Sequence, residues 1–159
     1  MTFRMRKPVW IALAIALVIP LWFAGLVLWS WTVRPPVGLV ENRLRPCPDK
    51  PNCVCSLAED AGHSIEPLSL SGDAAAEWER LRDLVSRQPR TRIVSFTESY
   101  LHAECTTPLM RYVDDIEFHL RPSDNRIDVR SASRVGYSDL NANRQRVEAL
   151  RGAWTSPSR

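Results

Sequence analysis

One long run of residues without charge, residues 9–33, most constrains how this chain can fold. Its 25 residues exceed the ~20 that an α-helix needs to cross the hydrocarbon core of a bilayer. Trp10 lies near one end of the run, and Trp29 and Trp31 lie near the other, as is typical of the aromatic belts at the two membrane surfaces. The run therefore predicts one membrane-spanning helix, with the lipid bilayer as its partner, after a short tail of residues 1–8.

The basic residues around this run predict its orientation. Arg4, Arg6 and Lys7 precede the run and Arg34 follows it. Because positive charges in short flanking segments stay on the cytoplasmic side, we expect the N-terminus in the cytoplasm and the rest of the chain on the other side.

A cleaved signal peptide is the alternative, since it also begins with positive charge and an apolar stretch. Its apolar region is about 7–15 residues long, however, and residues 28–32 lack the small-x-small pattern that signal peptidase recognises. An uncleaved anchor fits the sequence better.

The charge of the remaining chain argues against nucleic acid as a partner. The whole chain has a net charge of +3, but residues 34–159 hold 18 basic and 18 acidic residues. A neutral domain on the outer side of a membrane has neither the electrostatic attraction nor the opportunity to bind nucleic acid.

Alternation of apolar and polar residues predicts a β-hairpin with strands over residues 112–120 and 126–135. Matching the faces of the two strands places Glu117 opposite Arg130 and Asp114 opposite Ser133. The apolar face carries the following residues, interrupted by Asp114, Ser131 and Ser133: Tyr112, Ile116, Phe118, Leu120, Ile127, Val129 and Val135.

A helix is predicted after the hairpin, capped by Ser138 or Asp139. Its apolar stripe recurs at spacings of three and four and contains one polar residue, Asn143, which reaches the end of the hairpin. Arg144 and Arg146 flank the stripe and are expected to turn their charges outward. The stripe comprises Leu140, Asn143, Val147, Leu150 and Trp154.

Further elements precede the hairpin. Residues 34–57 are rich in proline and predict a stiff stalk that runs into an ordered loop. Asp73 is positioned to cap a helix that ends before Pro89. Three strands are predicted, over residues 65–70, 91–96 and 100–106.

These elements predict an α+β fold. Residues 58–152 form a small domain with a roughly four-stranded antiparallel sheet and both helices on one face. Residues 153–159 are expected to form a flexible tail.

Four cysteines, Cys47, Cys53, Cys55 and Cys105, allow three pairings. Disulfides are the default in an oxidising compartment. A zinc site is disfavoured because the spacings differ from those of zinc knuckles and no histidine follows at the right distance. A redox C-x-x-C motif is absent from the sequence.

Several segments resemble the bacterial and plastid family called domain of unknown function 1499. These are CPDKPNCVCS, YLHAE, VDDIEF and RSASRVGYSDLNANRQRVEAL. The resemblance implies a bacterial envelope protein without an assigned activity, located in the cytoplasmic membrane with its domain in the periplasm. It implies a Cys47–Cys53 disulfide, and with Cys55 and Cys105 outside the family pattern we expect a second disulfide between them. The matched positions are Cys47, Pro48, Pro51, Asn52, Cys53, Asp114, Asp115, Glu117, Phe118, Arg130, Ser131, Ser133, Arg134, Gly136, Asp139, Asn143 and Arg146.

The polar residues at the end of the hairpin have two interpretations. They form a buried hydrogen-bond network that fixes the helix on the sheet, or they line a pocket for a small polar or anionic ligand. The candidate ligand-binding residues are Asp114, Arg130, Ser131, Ser133, Arg134, Asn143 and Arg146.

The other face of the hairpin is predicted to be a solvated face with cross-strand ion pairs. It carries Asp115, Glu117, His119 and Arg130, beside His102 and Glu104. A metal site made by His102, Glu104, Glu117 and His119 is the alternative.

Three functions remain open at this point. A non-enzymatic module that binds a ligand or an envelope protein is favoured, because no recognisable catalytic, cofactor or metal motif is present in the sequence. A hydrolase or transferase would use Asp115 and Glu117, which lie on one face, as acid and base. A thiol redox or metal-binding protein would use the cysteines.

Overall fold

The computed structural model describes residues 7–33 and 35–156, so most of the predicted tail of residues 1–8 lies outside the described residues. Helix α1 spans Lys7–Thr32 and contains Pro20. Its segment Trp10–Thr32 is long and apolar enough to cross a membrane. Most of its residues are exposed, whereas Ser30 near its end is buried. The predicted membrane helix therefore forms as one continuous helix.

The elements after α1 follow the predicted order with additional short strands. Two further helices are present, α2 (Ala74–Ser86) and α3 (Ala142–Thr155), and a short 3-10 turn at Pro122–Asp124 joins the last two strands. The strands are β1 (Leu39–Val40), β2 (Arg43–Leu44), β3 (Cys53–Cys55), β4 (Leu68–Ser69), β5 (Thr91–Phe96), β6 (Tyr100–Thr106), β7 (Val113–Arg121) and β8 (Arg126–Ser133).

The main sheet has six strands, all paired antiparallel. Strands β5 to β8 form the predicted meander, in the order β8-β7-β6-β5. Strands β3 and β4 extend it, because both pair with the free edge of β8. The α+β class is confirmed, and the predicted count of four strands is too low by these two.

The register of the β7–β8 hairpin is the predicted one. Glu117 pairs with Arg130 and Asp114 pairs with Ser133. Since a shift of one residue would move every side chain to the opposite face, this register decides which residues share a site.

Both α2 and α3 cover one face of the sheet, as predicted, and this face holds the hydrophobic core. Asp73 caps α2, because its carboxylate accepts a hydrogen bond from the Ala76 backbone N–H at 2.8 Å. Trp78 of α2 is buried and stacks on Phe96 of β5, with ring centroids 5.6 Å apart. We call this side of the sheet the helix face.

The opposite face is buried as well, which corrects the prediction of a solvated face. Asp115, Glu117 and His119 are each at most 1% exposed. Residues 35–57 lie over them, and the Gly38 N–H donates to Glu117 at 2.7 Å. The alternation of a strand indicates the polarity of a face but does not indicate whether another segment covers it. We call this side the charged face.

Residues 35–57 therefore belong to the domain and do not form the predicted stalk. Strand β3 is part of the main sheet, and Leu44 of β2 is 4% exposed. A segment that donates a strand to the sheet and buries its own apolar side chain is fixed in place.

The C-terminal segment is also more ordered than predicted. Helix α3 continues to Thr155, and Trp154 is 5% exposed with its indole N–H bonded to the Ser69 carbonyl at 2.9 Å. The predicted tail of residues 153–159 is therefore wrong for its first residues, and residues 157–159 lie outside the described part. Leu140, expected on the apolar stripe, precedes the helix and is 87% exposed.

The cysteines follow only half of the predicted pairing. Cys47 and Cys53 form a disulfide, with their Cα atoms 5.7 Å apart. Cys55 and Cys105 are buried free thiols, so the predicted Cys55–Cys105 bond is wrong. Strands β8 and β7 separate them, which puts their backbones about 14 Å apart at ~4.8 Å per strand, beyond the ~7 Å that a disulfide spans.

The packing of Trp154 yields a test of the C-terminal segment. We expect Trp154→Ala to lower the free energy of unfolding by about 3–5 kcal/mol, because it empties a core position. The measurement is denaturant unfolding of the full chain in detergent, followed by near-ultraviolet circular dichroism. The control Thr155→Ala, at the neighbouring exposed position, should change the free energy of unfolding by less than about 0.5 kcal/mol. Equal effects of the two substitutions would contradict the burial of Trp154.

Candidate functional site

The structure distributes the seven predicted ligand-binding residues over the two faces of the sheet. Five lie on the helix face, where they contact one another or α3: Asp114, Ser131, Ser133, Asn143 and Arg146. Arg130 and Arg134 lie on the charged face, where they contact Glu117 and Asp115. The sheet separates the two groups, except that Ser133 lines one cavity with Arg130 and Arg134.

The helix-face group forms a closed hydrogen-bond network. Arg146 donates to Asp114 at 2.6 Å and to Ser131 Oγ at 3.1 Å. Ser131 donates to Asn143 Oδ1 at 2.6 Å, and Asn143 Nδ2 donates to Ser133 Oγ at 3.0 Å. Arg146 therefore turns inward, which corrects the expectation that it points to solvent.

This network fixes the start of α3 on the sheet. Asp139 accepts hydrogen bonds from the backbone N–H and the side-chain amide of Asn143, each at 2.8 Å, and so stabilises the first turn of the helix. Burial raises the pKa of the Asp114 carboxyl, and the positive charge of Arg146 opposes this in part. Because its members bond to one another, the network is a structural element of the fold.

The charged face contains a first ion pair between β7 and β8. Arg130 donates to Glu117 Oε2 at 2.8 Å, and the two side chains are 6% and 0% exposed. Glu117 Oε1 accepts from the Tyr100 hydroxyl and from the Gly38 N–H, both at 2.7 Å. Burial and the neighbouring Glu117 raise the pKa of Tyr100, which therefore stays a donor. Both carboxylate oxygens of Glu117 are thus engaged.

A second group of ion pairs lies toward the end of β8. Arg134 holds Asp115 through two hydrogen bonds of 2.8 Å and donates to Glu104 at 2.6 Å. His102 Nε2 lies 2.7 Å from Asp115 Oδ1. Burial opposes ionisation of Asp115, but the bonds from Arg134 and His102 outweigh it and lower its pKa. The hydrogen bonds to Asp115 and Glu104 raise the pKa of Arg134, so Arg134 and Asp115 both stay charged.

The candidate site is a cavity of about 650 Å³ beside these ion pairs. One wall is the end of α1, with Leu26, Trp29 and Val33. The other walls come from the proline-rich segment and the end of β8. Their polar and charged lining residues are Arg45, Lys50, Asn52, Asp115, Arg130, Ser133 and Arg134.

Three buried polar atoms of this cavity have no hydrogen-bond partner in residues 7–33 and 35–156. They are Arg45 Nε, Arg130 Nε and Asn52 Oδ1. Asn52 is 3% exposed and Arg130 is 5% exposed, so bulk water does not satisfy these groups freely. Buried polar groups without a partner are rare in folded proteins, and each needs an explanation.

The charge balance of the cavity is positive. Arg130 and Arg134 are neutralised by Glu117, Asp115 and Glu104. By contrast, Arg45 and Lys50 form no ion pair within the described residues. The site therefore holds two positive charges that have no counterion among the described residues, on Arg45 and Lys50. It also holds two guanidinium N–H donors without an acceptor there, on Arg45 and Arg130.

Sequence reasoning found only part of this cavity. It named Arg130 and Arg134 but not Arg45 or Lys50, which lie in the segment expected to be a stalk. Asn52 was among the positions that match the family, yet no pattern in the chain indicates that it lines a cavity with Arg130.

The histidines and carboxylates of the charged face do not converge. No group of three or more His, Cys, Asp or Glu side chains with the arrangement of a metal site occurs in the described ranges. Glu104 and Glu117 are bound to arginines, and His102 contacts Asp115. Burial and Arg121 lower the pKa of His119, which therefore stays neutral.

The family model described as a protein of unknown function, DUF1499, matches residues 43–153, more than half of the chain. The chain belongs to this family. No curated protein and no solved structure matches it. Residues 43–153 of this DUF1499 protein include every residue of the helix-face network and the cavity residues Arg45, Lys50, Asn52 and Arg130, whereas α1 lies outside the match.

Within the described residues, Asp114 is the one carboxylate that pairs with Arg146, so its removal tests the helix-face network. We expect Asp114→Asn to lower the free energy of unfolding by about 1–3 kcal/mol, because a buried donor loses a charged acceptor. Asp124→Asn is the matched control, since Asp124 pairs with Arg121 in an exposed turn, and it should cost less than about 1 kcal/mol. Denaturant unfolding of both variants is the measurement, and equal losses would contradict a structural role of the network.

The lowered pKa of Asp115 predicts how stability depends on pH. Since the unfolded chain binds a proton more readily at this group, Asp115 stabilises the fold above its unfolded pKa of about 3.9. This contribution is lost as the pH falls through the lower folded pKa. Asp115→Asn should lower the free energy of unfolding at neutral pH. It should also make this free energy fall less steeply as the pH drops below about 4. Parallel pH profiles of wild type and variant, measured by denaturant unfolding, would contradict this.

Proposed function

We propose that this protein is a single-pass membrane protein whose domain binds a small anionic ligand in the cavity beside α1. In this proposal the N-terminus lies in the bacterial cytoplasm and the domain lies in the periplasm. The domain acts as a non-enzymatic binding module.

Three features support this location. Arg4, Arg6 and Lys7 precede the apolar run of residues 9–33, as expected for a cytoplasmic N-terminus. The apolar length of α1 suits a bilayer. The Cys47–Cys53 disulfide suits an oxidising compartment such as the periplasm.

One observation carries the proposal of a ligand, namely the set of unpartnered polar atoms in the cavity. Arg45 Nε and Arg130 Nε are donors, and Asn52 Oδ1 is an acceptor. An anion that also carries a hydroxyl group pairs with all three, since its anionic oxygens accept from the guanidinium groups and its hydroxyl donates to Asn52. A phosphate monoester or the monoprotonated phosphate ion has this chemistry.

The two enzymatic alternatives receive less support. A hydrolase or transferase that uses Asp115 and Glu117 needs a carboxylate that exchanges protons, but both oxygens of each carboxylate already accept hydrogen bonds from buried partners. A thiol redox protein needs reactive thiolates, but burial raises the pKa of Cys55 and of Cys105.

The proposal predicts that phosphate compounds stabilise the protein through Arg45. The full chain in detergent is titrated with inorganic phosphate and glycerol 3-phosphate, and binding is measured by calorimetry and thermal unfolding. Arg45→Gln should weaken binding about tenfold or more, since a hydrogen bond to a charged group contributes about 1.5–3 kcal/mol. Arg45 is chosen because removing Arg130 would leave Glu117 buried without its counterion.

Arg87→Gln is the matched control for this experiment. It removes the same charge from an exposed position after α2, outside the cavity. Its affinity should stay within about twofold of wild type. Equal losses in the two variants, or no binding by wild type, would refute the anion-binding proposal.

A further inference from the structure

Two loops of the domain expose large apolar side chains at one end of the sheet. Leu109 and Leu140 are each 87% exposed, and Tyr137 is 71% exposed. The loops that carry them, residues 107–112 and 135–141, line a shared cavity and are therefore neighbours. An isolated exposed apolar residue is ordinary, but three on adjacent loops form a patch that indicates an interaction surface.

This patch lies at the end of the sheet to which α1 is attached. The Trp31 indole N–H donates to the Arg111 carbonyl at 3.1 Å, two residues from Leu109. Ser30 of α1 is fully buried, and its Oγ accepts from the Val113 N–H at 3.4 Å. On the second loop, Gly136 lines the same cavity as Trp29. Both loops therefore reach the last turns of α1.

The length of α1 gives the depth of these turns in a bilayer. A hydrocarbon core of ~30 Å takes up about 20 helical residues. Counted from Trp10, such a span ends near Trp29, so Ser30 and Trp31 lie at the membrane surface. Since Arg111 of the first loop contacts Trp31, and Gly136 of the second loop lines a cavity with Trp29, both loops lie near the same level.

The composition of the loops suits this position. The segments 107–110 and 135–138 contain no charged residue. Arg111 is exposed beside the first segment, where its guanidinium group can reach lipid phosphates. Aromatic and leucine side chains next to a basic residue are typical of segments that enter the interfacial region of a bilayer.

We infer that the loops 107–112 and 135–141 insert Leu109, Tyr137 and Leu140 into the outer leaflet of the bilayer that α1 crosses. This inference rests on the proposed membrane-spanning role of α1. The domain is then attached to the membrane at three points and does not swing on a tether. The cavity lined by Arg45 and Lys50 opens beside the lipid headgroups.

The test places a fluorescent label at single positions of the full chain in lipid vesicles. Leu109→Cys and Leu140→Cys are labelled with an NBD group, and lipids that carry a doxyl quencher in their acyl chains are added. Ser123→Cys is the matched control, because it is exposed on the turn at the opposite end of the β7–β8 hairpin. The unsubstituted chain is the blank, since Cys55 and Cys105 are buried.

We expect at least twofold quenching and a blue-shifted emission at positions 109 and 140, and neither effect at position 123. A label at Ile19→Cys, in the middle of α1, tests the premise separately. Quenching at 19 without quenching at 109 and 140 would overturn the insertion of the loops alone. Absence of quenching at 19 would overturn the membrane-spanning role and the insertion together. Near-ultraviolet circular dichroism of each labelled variant establishes that it is folded.

Discussion

The structure depends on two ion pairs that are buried on the sheet face away from the helices. Arg130 with Glu117, and Arg134 with Asp115, have side chains at most 6% exposed. Removing such charges from water costs several kcal/mol per ion unless geometry and further hydrogen bonds compensate. The compensation comes from outside the hairpin, since the Gly38 N–H completes the bonds of Glu117. The cover formed by residues 35–57 and the ion pairs beneath it are therefore mutually dependent.

Asn52 connects this cover to the helix face. Its backbone carbonyl accepts hydrogen bonds from the Asn143 side chain and from the Ser133 N–H, while its own amide donates to the Gly136 carbonyl. The Cys47–Cys53 disulfide closes the loop that contains it. A change in the position of α3 is thereby coupled to the wall of the cavity, because Asn52, directly before β3, contacts both.

Features that depend on interactions close in sequence could be predicted, and features that depend on contacts between distant residues could not. The hairpin register, the helix capped by Asp73 and the proximity of Asn143 to Ser131 and Ser133 could be predicted. They depend on local periodicity and on opposite residues in adjacent strands. The cover of the charged face and the cavity depend on contacts between residues far apart in the chain, such as Gly38 with Glu117, which leave no periodic signal. The wrong Cys55–Cys105 pairing has the same origin, because the insertion of β3 at the far edge of β8 separates the two thiols.

The unpartnered atoms of the cavity connect the fold to its proposed function. Each buried donor or acceptor without a partner costs about 1–3 kcal/mol, and Asn52 Oδ1 and Arg130 Nε lie within one cavity. A cover that served only to bury the ion pairs would favour apolar or fully bonded residues at these positions. The same strand end carries the attachment of α1 and the exposed loops, so the unsatisfied groups lie where an anion at a membrane surface would reach them. In the proposed function, a phosphate group would offset this cost by accepting from Arg45 and Arg130, and its binding would then stabilise the cover.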